Sequence, residues 1–509
     1  MKRSIFAGLL VLAISLSGCK AIDISDQQFD ILPQQQDVSS VSEPEQTAPV
    51  SEVCLAYNMN DSLNPYTMTS QLNHELIPLL YDSLTRLDKT FKPQNQLATE
   101  VIVEGKLCTV KYNRSAQFSD GTLLTGKDIV YSIATASASD DNWKAMLQNV
   151  AGCSINDDGD VEIKLHQEDA DFACLLSFPI IKENTATADH PTGVSKFYLS
   201  GMQGNDAVLT ANQLYYGNTG NLKTIRLVGV SDADALTFSL KTGDIDVVYS
   251  DLNDTELSNM STSSVPVSLN HLVYLGVNSG RGLLSKAEFR KAVSTALNRD
   301  ELVSTAYLTR ANAARYPFHP DFYRLQKMEL PAPRNLTAAD ALLDGMGLTQ
   351  KDADGYRLQN GTPITLSLLV NSENACRNAA ATLIAGQLKQ IGVKVDVVSK
   401  SFSQYQASLS RHDYDLYIGE TRMMDNMDFS MLMSGGSLGF ATAYSEELVN
   451  LYRAYKSTGT NIEAFCEAFN EQSPFIPLVF RQGLISFNRE FRAEIVATEQ
   501  DIFYNIVEW

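Results

Sequence analysis

Six histidines in 509 residues, none in an HExxH or other paired-His spacing, leave little material for a zinc hydrolase. A complete GxxxxGK[ST] phosphate loop is missing as well, which removes the commonest nucleotide-binding signature. Basic residues are in the minority, 40 Lys and Arg against 60 Asp and Glu. The resulting charge of −20 argues against nucleic acid or an anionic lipid surface as a partner. Seven cysteines occur without any CxxC or CxxxC pair, a spacing that suggests no metal site. With Cys19 set aside, the other six read as small buried apolar residues, and Cys108 and Cys153 are the pair most worth testing for a disulfide. No apolar run after residue 16 approaches the ~20 residues of a membrane helix. What remains is an ordinary globular composition, 44% hydrophobic and 20% charged, long enough for roughly two to four domains.

The N-terminus is specific. Lys2 and Arg3 precede the apolar run Ile5–Leu16, which is too short to cross a bilayer and has the length of a signal-peptide core. It ends in Leu16-Ser17-Gly18-Cys19, which looks like a bacterial lipobox. The expectation is a signal peptide over 1–18 and a lipid on Cys19 that anchors an exported chain to the cell membrane, facing the extracellular side or periplasm. Residues 19–51 are polar, with Pro33, Pro44 and Pro49, and read as a flexible tether.

Folded structure is expected from Val53. Val53–Tyr57 reads as a strand, the leucines of Gln71–Leu87 as a helix interrupted by Pro78, and Leu107–Tyr112 as a strand. Thr125 with Asp128 has the form of a capping box opening a helix whose apolar face starts at Ile129 and Ile133. Ser231–Lys241 is a helix stopped by Gly243, and the stretch at Ile245 and Val247 alternates as an edge strand. Ser285–Leu297 forms a further helix, after which Asp300 is placed to cap the next one; Ala375–Ile391 is a helix ended by Gly392. Two apolar strands, Ser268–Asn278 and Ile476–Phe487, are suited to carry the chain from one lobe to another and back. Helix and strand alternate throughout, the α/β pattern.

The stretch FSDGTLLTGKDIVYS, Phe118–Ser132, resembles the signature F-S-D-G-x-P-[LF]-T-A-x-D-V-x-[FY]-S of the extracellular solute-binding proteins of ABC importers, family 5, the peptide/nickel type. Leu123 and Gly126 depart from the usual Pro and Ala. Ordered partial matches extend the resemblance from Val53 to the C-terminus: Leu63-Asn64-Pro65-Tyr66, Leu79-Leu80-Tyr81-Asp82-Ser83-Leu84, the Asn212 to Gly217 element, Leu240–Asp246, Phe289–Asp300 and Ile391-Gly392-Val393-Lys394-Val395.

This resemblance implies an α/β, two-lobed periplasmic-binding-protein-like fold with an inserted subdomain and a two-strand hinge. Lobe I would comprise 52–65, 190–270 and 482–509, the inserted subdomain 66–189 and lobe II 271–481. It implies a substrate-binding lipoprotein, not an enzyme and without a cofactor or metal. A monomer would capture a peptide or other small solute and deliver it to a permease and its ATPase subunits. A lipid-anchored sensor or adhesion protein on the same fold is the alternative, and a cell-surface hydrolase is disfavoured by the scarce histidines. The ligand contacts implied are Pro65, Tyr66, Met68 and Thr69 on one lobe, Tyr274 and Asn278 on the first crossing strand, and Glu420, Arg422, Met423 and Asp425 in the YDLYIGETRMMDNMD stretch. Glu420 stands where the family carries Trp, the family's acidic position falls near Met423, and Leu369–Glu373 lacks the basic anchor of dipeptide binders. A ligand longer than a dipeptide, or anchored differently, follows. Arg315, Tyr316 and Phe318 form a further candidate for the cleft wall.

Overall fold

Eleven strands form one mixed sheet in this computed structural model, which describes residues 52–139, 142–251, 263–433, 435–488 and 491–509. The expected signal peptide, Cys19 and the tether lie outside the described residues. Numbered in chain order, the strands are β1 (Glu52–Asn58), β2 (Phe197–Gln203), β3 (Asp206–Ala211), β4 (Thr224–Val230), β5 (Val247–Ser250), β6 (Ser263–Val277), β7 (Ala311–Ala313), β8 (Thr365–Asn371), β9 (Lys394–Lys400), β10 (Leu416–Arg422) and β11 (Phe475–Phe487). Their order is β9-β8-β10-β6-β11-β5-β1-β4-β3-β2, with β7 beside β11.

The two long strands, β6 and β11, belong to both halves. Ser263–Ser268 pairs with Gln482–Phe487 next to β5, while Leu272–Gly276 pairs with Phe475–Phe480 next to β10 and β7. Between these ladders, Leu269, Asn270 and His271 face Arg481 alone. Such a bulge bends the ladder and re-aims the side chains it carries. Around the sheet, one core gathers residues such as Val53, Leu79, Phe118, Ile129 and Ile225. A second holds Val273, Leu275, Phe289 and Ile384, and a third, aromatic one holds Tyr274, Phe318, Phe429 and Phe480. The fold is thus α/β and two-lobed. The alternation expected along the first crossing strand holds: Val273, Leu275 and Val277 enter one core, Leu272 and Tyr274 another.

Local signals explain why the segments fold as they do. In the FSDG stretch the Thr125 N–H and hydroxyl both donate to Asp128 Oδ2, at 2.9 and 2.6 Å, and a helix runs over Gly126–Ala138. Two of the motif segments meet in space: Asp82 Oδ2 accepts hydrogen bonds from the hydroxyls of Tyr215 and Tyr216, both at 2.8 Å, and Gln96 donates to Oδ1. Gly243 adopts φ of 83° and ends the Ala233–Thr242 helix, as expected.

Several expectations change. Gln71–Leu87 is two short helices, Gln71–Glu75 and Ile77–Leu80, because Pro78 fits only a first helical turn; the chain then extends into a strand at Thr85–Leu87. β5 is interior, between β11 and β1, and all four of its residues are buried, so the Ile245–Val247 stretch leads into no edge. Asn298, not Asp300, caps the turn at Arg299–Glu301, its side chain accepting from the Glu301 N–H. Cys108 and Cys153 are free and lie on strands flanking Val161–Leu165, both opposite Ile163, two strand spacings apart and beyond disulfide reach. The Asp157-Asp158-Gly159-Asp160 segment is the turn between the strands Val150–Ile155 and Val161–Leu165.

Across β6 and β10, Tyr274 lies opposite Gly419 and Gly276 opposite Tyr417. Each ring covers the facing glycine so closely that a Cβ on either glycine would collide with it. Gly419→Ala is expected to cost about 1–3 kcal/mol through overpacking. Urea denaturation checks this, and an unchanged midpoint would mean the rings can step aside.

Candidate functional site

The bulge in β6 places Asn270 and His271 where the two lobes meet, and a chain of charged groups is built on it. Glu420, at the end of β10, is clamped by two arginines: Arg481 Nη1 donates at 2.6 Å, and Arg377, in the Ala375–Lys389 helix, donates through Nε at 3.1 Å and through Nη2. His271 sits between Glu420, 3.6 Å from Nδ1, and Glu499, 3.5 Å from Nε2. Glu499 comes from the C-terminal segment, its side chain is only 7% exposed, and it accepts from Arg422 Nε at 2.9 Å and from the Asn270 N–H at 2.6 Å. The cluster therefore ties β10 and its loop to the C-terminal segment across the bulge.

Its electrostatics follow from the pairing. Burial disfavours the charged form of His271, but the facing carboxylates of Glu420 and Glu499 outweigh it and raise its pKa to about 9. Burial alone would raise Glu420; its His271, Arg377 and Arg481 neighbours hold it well below the usual carboxylate range. Glu499 is likewise held at about 2, against burial, by Arg422 and His271. Two carboxylates, Glu420 and Glu499, thus share four cationic partners, Arg377, Arg481, Arg422 and His271.

Two cavities open against this cluster. One, of about 650 Å³, is bordered by Asn58, Leu72, Tyr249, His271, Arg422 and Glu499. The narrower one, of about 280 Å³, is bordered by Thr69, Trp143, Arg422, Asp425, Glu499 and Gln500. Arg422 reaches both. Its Nε is held by Glu499 and Asn270, while the side chain stays 38% exposed, so the guanidinium is oriented with a face left open to solute. Asp425 is buried on the narrower cavity and accepts from Asn270 at 3.0 Å, Gln500 at 2.9 Å and Ser177 at 3.4 Å. Burial raises its carboxyl, only partly offset by Arg422.

Of the residues expected to touch ligand, Thr69, Arg422 and Asp425 border the narrower cavity. Glu420 is beside them but fully engaged by cations. The other six are placed in the framework. The Pro65 carbonyl accepts from the Trp143 indole at 3.0 Å, Tyr66 donates to the Pro179 carbonyl, and Met68 is in the first core. Tyr274 packs edge-on against Tyr417 and Phe475. Asn278 donates to the carbonyls of His412 and Tyr414, and Met423 is in the aromatic core. The expected wall residues Tyr316 and Phe318 are also in that core, and Arg315 bonds the Pro331 carbonyl. Arg377 supplies a cation four residues past the segment read as lacking one. His271 and Arg481 could have been noticed as charges interrupting apolar strands; nothing local marked Glu499. Gly435-Gly436-Ser437-Leu438-Gly439 spells the GxSxG string of a nucleophile elbow, but it forms turns without the strand-to-helix corner that exposes such a serine.

A second set of contacts joins the segment 66–189 to the aromatic half. Asp171, 1% exposed, accepts from Arg324 Nε and Nη2 at 2.8 and 2.5 Å, from the Tyr323 hydroxyl at 2.5 Å and from the Tyr455 hydroxyl at 2.9 Å. Asp169 pairs with Lys456 at 2.8 Å and accepts from Asn426 at 2.7 Å. Leu87, Phe91 and Cys174 pack in the same aromatic core as Phe318 and Phe465.

Comparison with known proteins agrees with this architecture. Residues 92–439 match the family described as bacterial extracellular solute-binding proteins, family 5, middle. The oligopeptide-binding protein AppA of Bacillus subtilis is 26% identical over 81% of this chain and 78% of its own. The glutathione-binding protein GsiB of Escherichia coli O1:K1 / APEC is 26% identical over 70% of this chain and 71% of its own. Among solved structures, a nickel ABC transporter protein from Bacillus halodurans superposes with a TM-score of 0.73 at 19% identity, covering 89% of this chain and 98% of its own, a likeness of fold. The chain belongs to the bacterial extracellular solute-binding proteins of family 5.

Proposed function

We propose that this protein is the substrate-binding lipoprotein of an ABC importer and that its solute is peptide-like. The observation that carries this reading is Arg422, which faces two cavities at the junction of the lobes while Glu499 and Asn270 fix its Nε. An oriented guanidinium can fork onto a carboxylate, and Asp425 on the same wall offers the opposite charge to an ammonium group. Apolar groups such as Leu72 and Tyr249 line the rest and would desolvate side chains. No bond is broken: closure of the lobes about the β6–β11 bulge traps the solute, and the closed shape is what a permease reads. The lipid on Cys19 keeps the domain at the membrane.

Native mass spectrometry of the protein purified without refolding tests this. A discrete co-purified mass that leaves on mild denaturation and fragments as a peptide is the expected result. Arg422→Met is expected to weaken capture of such a peptide about 10-fold or more. An empty protein that shows no thermal shift with peptides would overturn the peptide reading and favour a sensor on this fold.

A further inference from the structure

Glu75 stands on the wall that the two cavities share. It lies in the short Gln71–Glu75 helix, and Gln71 is the neighbour that bonds its carboxyl; no described Lys, Arg or His forms an ion pair with it. Burial, with the nearby negative charge of Asp251, pushes that carboxyl well above its usual range. Asp425, on the same narrower cavity, has among the described residues only the neutral donors Asn270, Gln500 and Ser177 within bonding distance. Gln500 Oε1, buried on that cavity, has no donor among the described residues. Arg86 on this cavity donates to the Tyr504 carbonyl and Arg422 is left for the ligand's carboxylate, whereas Glu75 and Gln500 Oε1 are acceptors without a cationic partner, and an acceptor left unpaired away from water costs free energy that a donor on the ligand would recover. A metal ion does not fit: among the described residues no three metal-binding side chains converge.

We infer that Glu75 is a specificity residue for a cationic side chain of the ligand, an ammonium or guanidinium group seated in the narrower cavity, with Gln500 Oε1 as a second acceptor. The inference rests on the peptide-like reading above and narrows it to peptides that carry Lys or Arg. Arg422 then reads the ligand's carboxylate, and Glu75 reads a positive charge beyond the terminal one. Desolvation gives the pair its selectivity, because a neutral side chain of equal size leaves Glu75 without a cation and Gln500 Oε1 without a donor.

Isothermal titration of the full chain with Ala-Lys-Ala and with Ala-norleucine-Ala, which is similar in shape but lacks the ammonium group, decides the matter. The wild type is expected to prefer the lysine peptide by about 10- to 100-fold. Glu75→Gln is expected to abolish that preference while leaving the norleucine peptide's affinity unchanged. Its ligand-free Tm should hold or rise, since the change keeps the shape and removes a half-buried carboxyl that no described cation pairs; Glu75→Ala serves as a second variant with the same expected loss of preference. Equal affinity for both peptides in the wild type, or a preference that survives in Glu75→Gln, overturns the subsite and leaves peptide capture intact. Binding of 1,5-diaminopentane that Glu75→Gln removes, with neither peptide bound, supports the cation subsite and overturns the peptide reading. Failure of all three probes overturns both.

Discussion

Asp171→Ala is expected to lower the stability of the folded chain by about 3–5 kcal/mol, the range for removing one partner of a buried ion pair. Asp171 is 1% exposed and is the common acceptor for Arg324, Tyr323 and Tyr455. Without it the Arg324 guanidinium keeps the Gly459 carbonyl, at 2.7 Å, and the face of the Tyr323 ring, and the Tyr323 and Tyr455 hydroxyls lose their acceptor. Tyr323 and Tyr455 would each carry a desolvation cost, so the loss exceeds that of an exposed pair. Guanidinium denaturation of wild type and variant gives the number. A change below about 1 kcal/mol would show that water already satisfies these groups and that the contact between the 66–189 segment and the aromatic half is loose. Arg324→Met should cost less than Asp171→Ala, because Asp171 keeps its two tyrosine donors while the methionine fills the vacated volume.

The second large effect is a pH dependence centred on His271. Its pKa is about 9 in the folded protein against 6.5 for the free side chain, so folding raises it. A raised pKa contributes stability that is fully present below pH 6.5 and lost as pH rises through 9. The loss is about 3 kcal/mol. The carboxylates act in the opposite direction: Glu499, at about 2 when folded and 4.5 when free, stabilises above pH 4.5 and loses that contribution as pH falls through 2. From these two groups the optimum lies between pH 4.5 and 6.5. Urea midpoints measured from pH 6 to pH 10 should fall for the wild type and stay level for His271→Gln. A level wild type, or a variant with the same slope, would contradict the pairing of His271 with Glu420 and Glu499. Because this pairing spans the bulge, alkaline pH should also weaken the junction of the lobes.

These features divide by the distance over which their causes act. The helix stop at Gly243, the Thr125–Asp128 cap and the two-faced apolar alternation of β6 depend on neighbours within a few residues, and the sequence by itself determined them. The ordered motifs, from Leu63 to Val395, determined the family and with it the two-lobed fold, since six segments in the right order carry far more information than any one. Thr69, Arg422 and Asp425, singled out in the sequence as ligand contacts, border the narrower cavity. Tertiary structure alone decided that β5 is interior, that Tyr274 covers Gly419, and that Asn278 spends its amide on the backbone. It alone decided the site's charge balance too. Glu420 meets Arg481, and Arg422 meets Glu499, across separations that no local pattern encodes. Whether a carboxylate serves a ligand or an arginine depends on which side chains remain unpaired after the chain closes on itself. That condition places Glu420 in the framework and leaves Glu75 facing the cavity.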